Sequence, residues 1–289
     1  MWPQELQEGP AAKRGVGILT DLAAQTCALK AEFVKNYDGR AHLHEFLPLA
    51  ASKVLPVDGR DLELLHLFAR SNPVYFSSCD ITVMDTPCRV YEGDVNEYWL
   101  SSIKHDTSYQ PFYPTWMVSA YVLALAAKDL GFSEVVDVGS GDGRIAYCSK
   151  VAGLGAQGIE IDGDLADLQR SLAEKTGVEF GVVHADATRF DYSSLSLVSP
   201  VFFISGLPEM GEMLAESVIS QALKLPGIRP GFALMGSHSP RKYARDLSQW
   251  GWGSVIARHG LQAVRTVTLP TQWTADQAAD TPYVFAVPL

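Results

Sequence analysis

No apolar run in this 289-residue chain approaches the length of a membrane span. A transmembrane helix needs about 18 or more consecutive apolar residues. The longest candidate, Met117 to Ala127, is interrupted by Ser119 and reads as a buried helix. The first residues, Met1-Trp2-Pro3-Gln4-Glu5, lack a basic start followed by an apolar core, so no secretory signal is expected. Cysteine is sparse. Cys27, Cys79, Cys88 and Cys148 include no pair at zinc-ligand spacing, and a chain this long needs no disulfide staples. Reduced thiols in a cytoplasmic protein, with no metal site, are the expectation. Basic residues are outnumbered, 23 Lys and Arg against 33 Asp and Glu, for a net charge of -10. That balance argues against a nucleic-acid partner, which calls for a basic surface. The acids are unevenly placed: residues 160 to 216 hold eleven against three Lys or Arg, while residues 224 to 265 hold seven Lys or Arg against Asp246 alone. A local anion-binding face therefore stays open beside the alternative of a mixed, solvated surface.

What is present is a core-forming composition, 47% hydrophobic and 19% charged, which excludes disorder. From Phe132 onward strand-like and helix-like segments alternate, the signature of an open α/β sheet with helices on its faces. Strands are expected at Glu134–Val138, Ala156–Ile161, Val178–Val182, Val201–Ser205, Phe232–Gly236, Leu261–Leu269 and Tyr283–Val287. Arg144 to Ala152 reads as a helix. Leu165, Leu168 and Leu172 mark another, with Asp162 or Asp164 to cap it and Gly177 to stop it. Pro208 suits a helix start, with Met210, Met213, Leu214 and Val218 as its inner stripe. Residues 1 to 70 are mostly helical in pattern, and 74 to 91 look like short strands around an Asp85-Thr86-Pro87 turn. The expected division is a helical or mixed extension over 1–105 and an α/β domain over 106–289.

The informative stretch is Val135-Val136-Asp137-Val138-Gly139-Ser140-Gly141-Asp142-Gly143-Arg144, a strand, a glycine turn and a helix start. Gly139, Gly141 and Gly143 remove side chains where a ligand must approach the backbone. The helix start offers unpaired N–H groups to a carboxylate or phosphate. Asp137, inside the strand, would repel a pyrophosphate but could position the ammonium of a methionine moiety. Glu160 ends the second strand, where an acid accepts from ribose hydroxyls. Asp186, near the end of the third, can accept from an adenine amino group, with the next N–H, that of Ala187, facing the ring. The local alternatives are a helix cap for Glu160 and a turn role for Asp186.

This pattern resembles the first motif of the class I methyltransferases that use S-adenosylmethionine (SAM). The resemblance covers about residues 106 to 289. It implies a doubly wound, Rossmann-like sheet of seven strands, the last antiparallel, with SAM as cofactor and a methyl acceptor as partner. Pro111-Phe112-Tyr113-Pro114-Thr115, with the glycine turn and Gly158-Ile159-Glu160, is similar to the small archaeal protein-lysine methyltransferases. It places Tyr113 and Thr115 beside the methyl donor. Alternatively Thr115 caps the next helix and the aromatics fill core. With Ile161 at the end of the second strand and Ser205 at the end of the fourth, the expected cofactor contacts are Asp137, Gly139, Gly141, Gly143, Glu160, Ile161, Asp186, Ala187, Tyr113, Thr115 and Ser205. No catalytic residue stands out, and in-line methyl transfer does not require an acid–base pair. Ser205-Gly206-Leu207-Pro208-Glu209 matches no known acceptor class, and no Asn/Asp-Pro-Pro-aromatic signature is present. The acceptor is expected to be a nitrogen, with protein lysine the leading class. A SAM-binding protein without transferase activity, a small-molecule methyltransferase and a nicotinamide-dependent oxidoreductase are the competing readings.

Overall fold

Local pattern dictates most elements beyond residue 112, whereas the N-terminal region depends on pairing between distant segments. The computed structural model describes residues 10–37, 43–52, 55–95, 98, 112–205, 208–236, 252–272 and 280–289. The chain opens with helix α1 (Pro10–Asn36), strand β1 (Leu43–Pro48) and helix α2 (Gly59–Ser71). The Asp58 side chain caps α2 by accepting from the Arg60 and Asp61 N–H groups, and Leu62, Leu65, Phe68 and Ala69 form its buried face. A hairpin follows, β2 (Tyr75–Val83) and β3 (Thr86–Gly93).

Strands β1, β3 and β2 form an antiparallel sheet in that order. Met84 and Asp85 both take positive φ, 48° and 59°, the requirement of a two-residue type I′ turn. The turn is therefore centred earlier than Asp85-Thr86-Pro87, because Thr86 and Pro87 already pair with Val83 and Thr82. The helical expectation for residues 1 to 70 fails at β1. Leu43, Phe46 and Leu47 are buried there because β3, more than forty residues further on, supplies the partner.

The second part contains α3 (Met117–Asp129), β4 (Glu134–Val138), α4 (Arg144–Val151), β5 (Gly155–Glu160), α5 (Gly163–Thr176), β6 (Gly181–His184) and β7 (Pro200–Ile204). It continues with α6 (Pro208–Ala222), β8 (Gly231–Met235), α7 (Gly253–Arg258), β9 (Leu261–Leu269) and β10 (Thr281–Pro288). The seven strands lie in the order β6-β5-β4-β7-β8-β10-β9. Neighbours from β6 to β8 are parallel, and β10 inserts antiparallel between β8 and β9. This is the doubly wound α/β arrangement with an antiparallel last strand. Two expectations need correction. The third strand starts only at Gly181, since Val178 and Phe180 pack against the core before the sheet begins. Of the expected inner stripe of α6, Val218 is buried and Leu214 packs beside it, but Met213 is 69% exposed and the Met210 side chain lies outside the described residues; Ala215, Ile219 and Ala222 complete the stripe.

Alternation along the strands assigns each side chain to one of two layers. Val135 and Phe203 join the layer holding α3, α4 and α5; Val136, Val138, Phe202 and Ile204 join the layer holding α6 and α7. The N-terminal elements extend the first layer. Helix α1 packs on α3 and β9, and α2 packs on α5. Trp116, fully buried, meets Phe33 and Phe46 edge-on at centroid distances of 6.2 and 5.0 Å. Burying each such phenylalanine is worth about 1.5–3 kcal/mol. Among the described residues, no helix is long and apolar enough to cross a membrane.

Candidate functional site

Strand order reverses at β4, which has β5 on one side and β7 on the other. In open α/β sheets a crevice forms at the carboxyl end of such a switch point. Asp137, one residue before the end of β4, is 1% exposed. Neither carboxylate oxygen has a hydrogen-bond partner in good geometry, although the Ala146 N–H in α4 lies where it favours the charged form. Burial pushes the Asp137 carboxyl well above the ordinary carboxylate range, and the nearby charges of Glu160 and Asp142 push it further.

The three turn glycines all adopt positive φ, 70° at Gly139, 56° at Gly141 and 80° at Gly143, yet they face different surroundings. A Cβ at Gly139 would meet nothing within 4 Å. At Gly141 it would come within 2.7 Å of the Phe112 ring, and at Gly143 within 2.8 Å of Gln169 and 2.9 Å of Phe180. Gly141 was expected to clear space for a ligand; the structure shows it clears space for Phe112. Only Gly139 faces open space. Gly143→Ala should therefore cost about 2–4 kcal/mol, combining left-handed strain with overpacking. Gly139→Ala should cost only about 1–2 kcal/mol, from the strain alone. Urea unfolding of the two variants checks the difference, and equal losses would remove the distinction.

Glu160 is 6% exposed and pinned to the turn. Its Oε2 accepts from the Gly141 N–H at 2.7 Å and its Oε1 from the Asp162 N–H at 3.0 Å. Burial raises its pKa to about 7, against the pull of those backbone donors. It does not cap α5. Asp162 does, accepting from the N–H groups of Asp164 (2.9 Å) and Leu165 (3.3 Å). A carboxylate offers about four acceptor positions, so Glu160 keeps capacity for a further donor. Ile161, next in sequence, is 40% exposed. Gln169 steadies the turn from α5, donating through Nε2 to the Ser140 hydroxyl and the Gly141 carbonyl, both at 2.8 Å.

The remaining expected residues are less committed to a ligand. Asp186 forms an Asx turn, Oδ1 accepting from the Thr188 N–H (2.9 Å) and hydroxyl (2.6 Å), while Oδ2 lies 3.5 Å from Arg189. Ala187 is buried, and its carbonyl accepts from the Tyr192 hydroxyl at 2.9 Å. Thr115 does not cap α3. It pairs with Thr271 in an isolated bridge, and its hydroxyl accepts from Tyr283 at 3.2 Å. The first N–H of α3, on Met117, donates instead to Glu45 Oε2 at 2.6 Å. Tyr113 is partly buried against the main core, and Ser205 is half-buried just after β7. Pro111 and the side chain of Glu209 lie outside the described residues. Glu212 pairs with Arg258 at 3.1 Å, and Glu216 pairs with Arg258 and His259.

Local patterns did not point to Asn72, Tyr75 or Glu45 as groups that hold the turn from the N-terminal side. Asn72, just past α2, donates to Asp142 Oδ2 at 2.8 Å. Asp142 in turn receives Arg144 through Nε (2.9 Å) and Nη2 (2.5 Å). Arg144 also donates to the Thr115 carbonyl and, at 3.3 Å, to the Tyr75 hydroxyl. Its Nη1 lies 3.5 Å from Glu45 Oε2. Burial works against the charge of Arg144, but Asp142, Tyr75 and Glu45 together outweigh it and raise its pKa. Burial raises the Glu45 pKa to about 8, with Arg144 pulling the other way. One signal was available: the charged pair Asp142 and Arg144 flanks a turn otherwise built for close packing. Among the described residues no cluster of His, Cys, Asp or Glu could hold a metal ion.

No protein-family model matches the chain, and no curated protein matches it. Among solved structures it is similar to a SAM-dependent methyltransferase from Aquifex aeolicus, at 15% identity over 57% of this chain and 88% of that one, with a TM-score of 0.41. It is also similar to magnesium protoporphyrin IX methyltransferase from Synechocystis PCC 6803 with bound S-adenosylhomocysteine (SAH). There the identity is 14% over 60% of this chain and 82% of that one, with a TM-score of 0.43. The fold of this chain rests on its own strand order.

Proposed function

We propose that residues 106–289 bind SAM at the carboxyl ends of β4 and β5, that the chain transfers the methyl group, and that residues 1–105 are an extension bracing this domain. The observation that carries the reading is Asp137. A buried carboxylate without partners calls for a cation, and this one underlies a glycine turn whose first residue faces open space. The ammonium of a methionine moiety answers that need, and a pyrophosphate does not. The nicotinamide alternative therefore loses ground. Glu160 takes a ribose hydroxyl on its remaining acceptor positions while it pins Gly141. Ile161 offers an exposed apolar surface to the adenine, and the Ala187 N–H its edge. SAM supplies a methyl group on an already activated sulfonium leaving group. The chain's own residues hold the donor and exclude water, so catalysis comes mainly from positioning.

For the acceptor we propose a protein lysine. Support comes from the likeness of the Tyr113-Pro114-Thr115 turn and from the acidic excess between residues 160 and 216. The pairing of Glu212 and Glu216 with Arg258 and His259 reduces their pull on a cationic partner. An attacking lysine must first lose its proton, so methylation should rise with pH through the lysine range.

Two measurements test the reading in sequence. SAM and SAH should each stabilise the protein by about 2.7 kcal/mol at a hundredfold excess over the dissociation constant, and NAD should not. Incubation of cell extract with labelled SAM, read by mass spectrometry, should then show methylated lysine. Binding without any transfer would leave a SAM-binding protein with no transferase activity. A methylated metabolite and no methylated lysine would exclude the protein acceptor.

A further inference from the structure

The network of Glu45, Asn72, Tyr75, Asp142 and Arg144 joins three N-terminal segments to the two charged residues on either side of Gly143. Glu45 comes from β1, Asn72 from the end of α2 and Tyr75 from the start of β2. Glu45, Asn72, Asp142 and Arg144 are 0, 1, 1 and 2% exposed. Such burial needs a reason. A buried ion pair is weak evidence for stability, because desolvation offsets much of the Coulomb attraction. What such a network supplies, with Glu45 Oε1 as its one oxygen lacking a partner, is a fixed geometry. Gly143, at φ 80°, is the residue where the turn passes into α4. With Asp142 held by Asn72, and Arg144 held by Asp142 and the Thr115 carbonyl, the residues on both sides of it are fixed. The N–H groups opening α4 and the Gly141 N–H bonded to Glu160 are fixed with them.

We propose that Asn72, Glu45 and Tyr75 are positioning residues, through which the N-terminal segments hold the glycine turn in its ligand-receiving geometry. The ligand in this proposal is the one named under the proposed function; the grip on the turn stands without it. Asn72 is the first contact to test, since its amide is the donor that reaches Asp142 from outside the α/β sheet. Glu45 acts on two sides at once, accepting from the first N–H of α3 and lying beside Arg144. Tyr75 closes the remaining side of the guanidinium.

The test uses the full chain and four variants. Asn72→Leu keeps the branched outline and removes the amide, both the donor to Asp142 and the acceptor of the Val74 N–H. Asn72→Gln returns an amide donor. Glu45→Gln keeps an acceptor for Met117 and removes the ionisable carboxyl beside Arg144, so its readings are taken above pH 8 where Glu45 is charged. Tyr121→Phe is the control, since the Tyr121 hydroxyl bonds Asp61 at 2.5 Å, tying α3 to α2 without touching the turn. Hydrogen exchange of the ligand-free protein is read across residues 139–146, and SAH affinity by calorimetry. In Asn72→Leu, exchange at 139–146 should quicken and SAH affinity fall, each about tenfold or more, the effect of losing one hydrogen bond to a charged group. Asn72→Gln should recover part of both losses, Glu45→Gln should show a smaller loss, and Tyr121→Phe should match the parent in both. Parent-like exchange and affinity in Asn72→Leu and Glu45→Gln would overturn the proposal, as would equal changes in Tyr121→Phe. If Asn72→Leu does not fold, Glu45→Gln decides by the same two readings. A parent protein that binds no SAH would sink the cofactor reading alone, because exchange at 139–146 still tests the grip.

Discussion

Asp137→Asn should weaken SAM binding roughly a hundredfold, about 3 kcal/mol, while the ligand-free protein stays at least as stable as the parent. The size follows from truncating one partner of a buried charge pair, which costs about 2–5 kcal/mol. The sign of the stability effect follows from the absence of partners. Both Asp137 oxygens are buried with no hydrogen-bond partner in good geometry, and the Ala146 N–H alone favours the charge, so the carboxylate contributes little bonding to the ligand-free fold. Its ionisation is opposed by burial and by Glu160. An amide of the same shape removes that conflict. Gain of stability with loss of binding is the mark of a group retained for function. Calorimetric titration with SAM and urea unfolding without it settle the matter together. A variant that binds normally but unfolds early would make Asp137 a structural residue.

The second large effect is on pH. Stability of the ligand-free protein should fall between pH 6.5 and 8, by about 2 kcal/mol from Glu160 and Glu45 together and further from Asp137. Asp137, Glu160 and Glu45 all have carboxyl groups raised by burial, Glu160 to about 7 and Glu45 to about 8. A raised carboxyl binds more protons folded than unfolded between its unfolded and folded pKa values. Stability then falls with rising pH across that window, by about 1.4 kcal/mol per pH unit for each group. His44 and His66 have pKa values lowered by burial, His44 to about 4, so they act in the opposite direction below their ordinary value of about 6.5. Above it they are neutral in both states, and the carboxyl effect stands alone. A cationic ligand on Asp137 needs the ionised form, so SAM binding should release protons and tighten with pH over the same range. Calorimetry in two buffers of different ionisation enthalpy counts the protons. A flat stability profile from pH 6.5 to 8 would show that these carboxyls titrate normally.

The likeness between expected and observed strands is close wherever a run is short, apolar and flanked by its own helix. Glu134–Val138 and Leu261–Leu269 match to the residue, and Asp162 and Gly177 bound α5 as read. The misses share a cause. Leu43–Pro48 carries no decisive period of its own and becomes a strand because β3 pairs with it. Val178 and Phe180 alternate like a strand but lie before the parallel register with β5 begins at Gly181. Gly141 looked like ligand space and serves Phe112, a distinction set by which side chain arrives from outside the motif.

By itself the sequence determined the α/β class, the position of the glycine turn and the acids Asp137 and Glu160 at successive strand ends. Those features depend on periodicity, on positive φ at glycine and on spacing of about twenty residues, all carried locally along the chain. Only the tertiary structure decided which glycine faces open space, that Glu160 is bonded to the turn, and that Asn72 reaches Asp142 across 70 positions of sequence. Contacts of that kind arise when α2 packs on α5 and β1 pairs with β3. Their donors and acceptors follow no local period, so residue order alone does not reveal which of them will meet.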